Sequence, residues 1–184
     1  MSNAPIFFRP LEMGDVDRIH AWHNDVSLFE SLIGTHRPVG RAGIEEWLRK
    51  RQLYSHDEIN LALCVSSDGK HIGNLYLRDI NWIARHGELH ILIGDSTHRG
   101  CGYGQQAVRH FIDHAFQQLG LRRLHLQVLA TNLAAIHVYE KCGFVIEGRL
   151  RQHAFKNGVF VDVLVMGLCR DGHESTLDAS QSPG

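Results

Sequence analysis

A glycine-rich segment near the middle of the chain has the residue types of an anion site. It runs Arg99-Gly100-Cys101-Gly102-Tyr103-Gly104, directly after a strand-like stretch and directly before an amphipathic helical pattern. Closely spaced glycines let backbone N–H groups converge without obstruction by Cβ atoms. At a helix N-terminus, those amides and the helix dipole favour a negative charge. The segment therefore predicts a site for a phosphate or pyrophosphate.

The spacing of these glycines excludes two familiar phosphate loops and leaves one structural alternative. A P-loop requires Gly-Lys followed by Ser or Thr, and the chain contains no such run. A strict dinucleotide fingerprint, G-x-G-x-x-G, requires a glycine where the chain has Gln105 or Ala107. A glycine turn that only permits close packing stays open as the alternative.

A second motif follows one strand later. Residues 132–144 read NLAAIHVYEKCGF, which has the form N-x-x-A-x-x-x-Y-x-K-x-G-F. Together with the Arg-x-x-Gly-x-Gly loop, and in the same order, it resembles the motifs of the GNAT N-acetyltransferase superfamily, over residues 6–168. The stretches RPLE, EL-x-I-x-I and VYEKCGFVIEGRLRQHAFKNG are similar to a bacterial-type branch that contains spermidine and ribosomal-protein N-terminal acetyltransferases.

The resemblance implies an acetyl-CoA-dependent enzyme in which an amine attacks acetyl-CoA directly in a ternary complex. In that family the pantetheine arm lies between two splayed strands, which here are residues 88–94 and 123–129. The first strand's backbone would hold the arm, and the glycine loop the pyrophosphate. Lys141 either approaches the phosphates of the cofactor or is an ordinary solvated lysine on its helix. The implied cofactor-binding residues are Ile91, Leu92, Ile93, Arg99, Gly100, Cys101, Gly102, Tyr103, Gly104, Gln105, Asn132, Ala135 and Lys141.

Two residues match catalytic positions of the family. An amine nucleophile has a pKa near ~10, so a base must take its proton, directly or through water. Glu88 opens the strand on the acceptor side and is the predicted base, with a strand-edge salt bridge or a water chain as the alternatives. Tyr139 is the predicted acid that protonates the departing thiolate, with a buried core aromatic as the alternative.

The acceptor amine is only weakly specified. In this family the acceptor site is built by the first two helices and the segment between them, here residues 20–50. That stretch mixes acidic residues, typical of polyamine enzymes, with basic residues similar to those of aminosugar-nucleotide enzymes. A polyamine, an aminosugar and a peptide N-terminus all stay open, and a non-catalytic acyl-CoA sensor is the alternative function. Trp22, Phe29 and Trp47 either line an acceptor pocket or pack in the core.

The composition of the chain bears on its partners and its location in the cell. The 184 residues carry a formal net charge of −1, which argues against a general nucleic-acid partner. No apolar stretch reaches the ~18–20 residues of a membrane span, and the N-terminus has no secretion-signal pattern. The four cysteines form no Cys-x-x-Cys pair, which favours a reduced, cytoplasmic protein.

Histidine is unusually frequent, at 14 residues. His110 and His114 have the i, i+4 spacing of a metal pair, but the flanking pattern of a metal site is missing, so no metal is expected. His90 shares a strand face with Glu88. It is a candidate for proton transfer, with an ordinary strand histidine as the alternative.

Hydrophobic periodicity supplies the elements that must position these residues. The predicted strands are 6–11, 59–65, 71–80, 88–95, 123–129, 144–150 and 159–168, and the predicted helices are 16–22, 44–53, 107–119 and 133–141. Asp68-Gly69 and Asn157-Gly158 predict hairpin turns.

The order of these elements indicates an α/β fold with a central mixed, mainly antiparallel sheet and flanking helices. One domain is predicted over residues 5–170, followed by a flexible C-terminal tail at 171–184 that has too few apolar residues to order itself. A homodimer through the 157–158 hairpin is expected from the family resemblance alone.

Overall fold

Residues 5–172 are described by a computed structural model, which shows one seven-stranded sheet with helices on both faces. The strands are β1 (Ile6–Pro10), β2 (Ile59–Val65), β3 (His71–Asn81), β4 (His86–Ile93), β5 (Arg123–Leu129), β6 (Val145–Lys156) and β7 (Val159–Cys169). The helices are α1 (Val16–His23), α2 (Val26–Phe29), α3 (Arg41–Gln52), α4 (Tyr103–Gln117) and α5 (Leu133–Lys141).

The sheet has the order β1-β2-β3-β4-β5-β7-β6. All neighbouring strands are antiparallel except the central pair, β4 and β5. The β6–β7 turn has positive φ at both central residues, 47° at Asn157 and 84° at Gly158, as a type I′ hairpin turn requires. The predicted α/β fold with a mixed, mainly antiparallel sheet is confirmed.

The two faces of the sheet are covered differently. The apolar stripe of α4, which includes Val108, Phe111 and Ile112, is buried against one face. Helices α1 and α3 cover part of the opposite face through a smaller cluster that contains Ile19 and Leu48. Side chains alternate along a strand, so the polar residues of β4 lie on the face that α4 does not cover.

Several boundaries differ from the predicted ones. Helix α3 begins at Arg41, three residues earlier than predicted, because Gly40 in an extended conformation starts it. Helix α2 was not predicted, since four residues are too few to show a helical period. Asp15 is the N-cap residue of α1, but its side chain does not cap the helix, because its carboxylate accepts hydrogen bonds from Arg9 and from the Glu12 amide.

Most of the predicted C-terminal tail cannot be compared with the structure. The predicted tail at 171–184 lies outside the described residues, apart from Asp171 and Gly172, which end a 3₁₀ turn after β7. Within residues 5–172, every helix is too short or too polar to cross a bilayer.

Candidate active site

The central parallel strands separate after three residue pairs. Pairing between β4 and β5 runs from His86–Arg123 to Glu88–His125. Beyond that point β4 continues its ladder with β3, and β5 continues with β7. The two strands are therefore separated by a gap, as the family resemblance implies. Because β4 and β5 are parallel, the helices that follow them, α4 and α5, begin at the same end of this gap.

The glycine segment forms the N-terminus of α4. Gly100 and Gly102 adopt left-handed φ values of 72° and 83°, which a side chain would strain. The first helical hydrogen bond runs from the Gln106 amide to the Gly102 carbonyl, at 3.1 Å. The amides of the first helical turn before it have no acceptor within the helix. These donors suit the pyrophosphate of acetyl-CoA.

Arg99 is positioned by carbonyls and by one carboxylate. Its Nε donates to the Ile93 carbonyl at 3.0 Å, and one terminal nitrogen donates to the Gly94 carbonyl at 2.7 Å. The same nitrogen lies 3.1 Å from an Asp25 carboxylate oxygen. The bond to Ser27 and then the one to Arg99 lower the pKa of Asp25. Arg99 thus ties the end of β4 to the start of α2, and its contact with a phosphate stays a prediction.

Other residues predicted to hold the cofactor lie around the gap. Ile91 and Ile93 pack toward α4, whereas Leu92 packs on the opposite face. Asn132 caps α5: its Oδ1 accepts from the Ala135 amide at 3.1 Å. Its Nδ2 donates to the carbonyl of Ser31 at 3.0 Å, so this amide also ties α5 to the predicted acceptor segment.

The C-terminal end of the second motif lies farther from the gap than its Asn. Lys141 is exposed at the last turn of α5, where its carbonyl accepts from Arg109 at 3.1 Å. Its role at the phosphates stays a prediction.

The hydrogen bonds at the C-terminus of α5 fix the position of Tyr139. The Phe144 amide donates to the Tyr139 carbonyl at 3.0 Å, and the Gly143 amide donates to the Glu140 carbonyl at 2.9 Å. With φ of 93° at Gly143, this is a Schellman ending, which brings the residue after the glycine against the last turn. The Phe144 and Tyr139 rings accordingly meet at a centroid distance of 5.9 Å. The Tyr-x-x-x-Gly-Phe spacing therefore fixes the tyrosine ring.

Tyr139 is suited to keep its proton. The side chain is buried in the main core cluster, and burial raises its pKa to about 12. A phenol with that pKa stays protonated throughout the physiological range. Such a group can donate a hydrogen bond to a developing thiolate.

Glu88 lies where β4 and β5 part, on the face that α4 leaves uncovered. Its carboxylate oxygen is 3.4 Å from Nε2 of His90. The interaction with His90 lowers the pKa of Glu88 and outweighs the opposing effect of partial burial. Glu88 is therefore ionised near neutral pH, as a base or a cation-binding group must be.

The histidines surround this carboxylate without forming a metal centre. His125 lies opposite Glu88 in the β4–β5 register, and its ring is 5.6 Å from that of His86. Burial lowers the pKa of His125. In residues 5–172 no three His, Cys, Asp or Glu side chains are grouped to hold a metal ion. His110 instead lies against the Phe8 ring, at 5.6 Å.

The aromatic residues of the predicted acceptor segment have different surroundings. Trp22 is buried in the core, with its ring 4.8 Å from that of His71. Trp47 meets Tyr76 edge-on, with ring centroids 6.2 Å apart. Phe29 is only partly buried, and its carbonyl accepts from Lys156 Nζ at 2.9 Å. The core interpretation therefore holds for Trp22, while Phe29 and Trp47 lie nearer to the surface.

No sequence motif identified some of the residues that lie near the candidate site. Two arginines, Arg51 and Arg78, stack on aromatic rings at the sheet face that carries Glu88. They come from α3 and β3, so only the fold brings them together. Asp25 belongs to the mixed acidic and basic stretch at residues 20–50, and its ion pair with Arg99 spans 74 residues of chain.

Comparison with known proteins agrees with this geometry. Residues 6–145 match the family model described as the acetyltransferase (GNAT) domain. The chain belongs to the GNAT acetyltransferase family. It is an acetyl-CoA-dependent N-acetyltransferase that transfers the acetyl group to a primary amine, as the sequence predicted, and nothing supports the non-catalytic alternative.

Individual relatives place the chain within this family. It is 32% identical over 165 residues to spermidine N(1)-acetyltransferase of Vibrio cholerae, covering 88% of this chain and 91% of that protein. It is 30% identical to the Escherichia coli K12 enzyme of the same name, covering 86% and 82%. The crystal structure of the Vibrio cholerae enzyme with CoA and spermine superposes with a TM-score of 0.83, at 29% identity, covering 91% of this chain and 96% of that one.

The glycine loop provides a direct test of CoA binding. Gly102→Val places a β-branched side chain at φ 83°, where it strains the turn and obstructs the converging amides. We expect the Kd for CoA, measured by calorimetry, to rise at least tenfold. Gly14→Val is the control, because its side chain would enter open space at ordinary φ, and it should leave the Kd unchanged. Tight binding of CoA by Gly102→Val would assign the pyrophosphate to another part of the molecule.

Proposed function

We propose that the acceptor of this N-acetyltransferase is a primary amine of a polyamine. The likeness to enzymes named for spermidine, across most of both chains, supports this acceptor class. The observation that carries the proposal is the ionised carboxylate of Glu88 on the open sheet face, at the start of the gap between β4 and β5. A fixed negative charge at that point attracts an ammonium group toward the acetyl thioester.

In this proposal the two faces of the sheet have separate tasks. The amides at the start of α4 and the backbone of Ile91 and Ile93 bind the CoA moiety, which supplies an activated acetyl group. Glu88 accepts the amine's proton through an intervening water, with His90 beside it at 3.4 Å. Tyr139 donates a hydrogen bond to the sulfur as it leaves, and the CoA thiolate then takes a proton from solvent. Asn132 and Ala135 border the same gap from α5.

The acceptor proposal is tested by measuring free thiol release from acetyl-CoA with a panel of amines. The panel contains spermidine, an aminosugar nucleotide and a peptide with an N-terminal alanine. We expect the highest kcat/KM with spermidine, and mass spectrometry should show one added acetyl group. A higher kcat/KM with the peptide or the aminosugar nucleotide would identify that compound, instead of a polyamine, as the acceptor.

We also propose that the enzyme is a homodimer through its β6–β7 hairpin. Strand β6 is the outer strand of the sheet. Phe155 and Phe160 face each other across this hairpin at 5.0 Å, with 52% and 65% of their surfaces exposed. An unpaired edge next to exposed aromatic rings favours association with a second copy.

The double variant Phe155→Ser/Phe160→Ser tests this interface. We expect sedimentation velocity to show a dimer for the unmodified protein and a monomer for the variant, because the apolar contact is lost. Ile83→Ser is the matched control, since Ile83 is 98% exposed on the β3–β4 turn, far from the hairpin along the chain. A variant that sediments as the unmodified protein does would exclude the hairpin as the contact.

Two further proposals concern the boundaries and the location of the protein. None of the four cysteines, all within residues 5–172, forms a disulfide, which supports a reducing, cytoplasmic environment. The catalytic unit is proposed to be residues 5–170, since β7 completes the sheet and the Arg170 amide after it donates to the Arg122 carbonyl at 2.9 Å.

A further inference from the structure

The segment that contains α2 crosses the open end of the gap between β4 and β5. Asp25 pairs with Arg99, whose Nε also bonds the carbonyl of the last β4 residue. Farther along the segment, the Ser31 carbonyl accepts a hydrogen bond of 3.0 Å from Asn132, which follows β5 closely. Residues 25–34, which we call the strap, are therefore anchored at the ends of both separated strands.

The strap lies on the face of the sheet that carries Glu88. Leu28 packs in the same cluster as Leu92, on the side opposite α4. Because side chains alternate along a strand, Leu92 and Glu88 share this face of β4. At the other end of the strap, Ile33 packs against a cluster contributed by β5, β6 and β7. The strap therefore forms a wall on the acceptor side of the gap.

One ammonium group joins the strap to the β6–β7 hairpin. Lys156 is the last residue of β6, and its Nζ donates to the Phe29 carbonyl at 2.9 Å and also to the Gly34 carbonyl. These two carbonyls lie on either side of Ser31 in the sequence. Because an ammonium has three donors in a compact group, a single side chain can hold both carbonyls at once.

The ammonium of Lys156 is engaged with these carbonyls instead of with an acid. Within residues 5–172 no carboxylate forms an ion pair with it, unlike Lys50 and Lys70. Partial burial lowers its pKa, as expected for an ammonium that other groups cover and no carboxylate neutralises. Hydrogen bonds from a charged donor are stronger than neutral ones, so this contact outweighs the neutral bond from Asn132.

The backbone of the strap contributes little to its own position. Residues 30–34 belong to no helix or strand. The backbone bonds at its centre are long, 3.4 Å from the Ser31 amide to the Leu28 carbonyl and 3.3 Å from the Leu32 amide to the Phe29 carbonyl. The position of this half of the strap therefore depends on its contacts with α5 and the hairpin.

We infer that Lys156 is a positioning residue of the acceptor site, whose ammonium fixes the strap as the wall along which the amine reaches Glu88. This inference rests on the proposed transfer of the acetyl group to an amine at Glu88. Lys156 acts through the strap, and it contacts neither the start of α4 nor Tyr139. Its loss therefore weakens binding of the amine and leaves CoA binding and the chemical step in place.

Steady-state kinetics of Lys156→Met and Lys156→Arg test this role. Methionine keeps most of the apolar stem and removes the donors, so the KM for the preferred amine of the panel should rise about tenfold. The kcat should stay within about threefold and the Kd for CoA within about twofold. Arginine also donates to carbonyls and should restore the KM to within about threefold of the unmodified value. Arg151→Met is the matched control, since Arg151 is an exposed cation of the same strand.

Amide hydrogen exchange measures the position of the strap without any turnover. In Lys156→Met, peptides that cover residues 28–36 should exchange about tenfold faster than in the unmodified protein, because local opening costs less free energy. Peptides from α4 and α5 should exchange at unchanged rates. Lys156→Arg should protect the strap nearly as well as lysine does.

The two measurements separate the inference from the function on which it rests. An unchanged KM in Lys156→Met would overturn the positioning role. Equal losses in kcat, KM and CoA affinity would also overturn it, because they would indicate a general loss of structure. If the unmodified protein acetylates no amine of the panel, the proposed function fails and hydrogen exchange decides alone. Unchanged exchange of the strap in Lys156→Met would then reject Lys156 as its anchor.

Discussion

Replacing Tyr139 with phenylalanine should lower kcat ten- to hundredfold while the Kd for CoA stays within twofold. The substitution removes one hydroxyl and keeps the ring that packs on Phe144. The expected decrease in kcat matches the usual contribution of a single positioned acid. Stopped assays of kcat with saturating acetyl-CoA, and calorimetry with CoA, measure the two quantities separately.

The raised pKa of Tyr139 decides how this acid acts. With a pKa of about 12, against roughly 8.5 for a thiol, full proton transfer to a free thiolate is uphill by about 5 kcal/mol. The hydroxyl therefore contributes mainly by donating a hydrogen bond as the C–S bond breaks. The unmodified enzyme should keep its activity up to at least pH 9.5, and an unchanged kcat in Tyr139→Phe would remove this residue from the acid role.

Replacing Glu88 with glutamine should lower kcat/KM for spermidine ten- to hundredfold. The glutamine has the same shape but neither attracts an ammonium group nor accepts its proton. Direct transfer from an ammonium of pKa near ~10 to a carboxylate of ordinary or lower pKa is uphill by more than about 7 kcal/mol. Glu88 must therefore act through water and by its charge. Initial rates at several spermidine concentrations measure the effect, and exposed Glu140 changed to glutamine is the control.

The pH dependence of the same reaction gives an independent check. The folded-state pKa of Glu88 is lowered, so its carboxylate is present at neutral pH and is protonated only as the pH falls below its ordinary range. Between pH 6 and 9, kcat/KM should rise about tenfold per unit, following the free amine rather than Glu88. A bend near pH 6 that disappears in Glu88→Gln would show that Glu88 titrates there, contrary to its lowered pKa.

Local chemistry made part of this site predictable from the sequence. The glycines at 100 and 102 do adopt the left-handed φ values that only glycine tolerates well, and Asn132 caps α5 through its own side chain. The same holds for the Asn157-Gly158 turn, where two adjacent residues determine the geometry. These features depend on a few consecutive residues, so pattern and spacing are sufficient to predict them.

Long-range packing explains what the sequence left out. Arg99 is predicted to contact a phosphate because of its neighbours, and the fold adds an ion pair with Asp25, 74 residues away along the chain, that no local pattern contains. The arginine pair of α3 and β3 exists only because the sheet aligns Arg78 with Glu88. Asp15 similarly bonds a β1 arginine instead of its own helix. In each case the contact joins separate elements of the fold, so the periodicity of a single element does not contain it.

The ion pair between Arg99 and Asp25 has a consequence for how the two substrates bind. It joins the loop proposed to hold CoA to the first residues of the acceptor segment, through one contact of 3.1 Å. If the loop moves when its anion binds, α2 must respond. Thermodynamic linkage then requires that acetyl-CoA and the amine change each other's affinity by the same factor. A single guanidinium group thus connects the two proposed substrate sites.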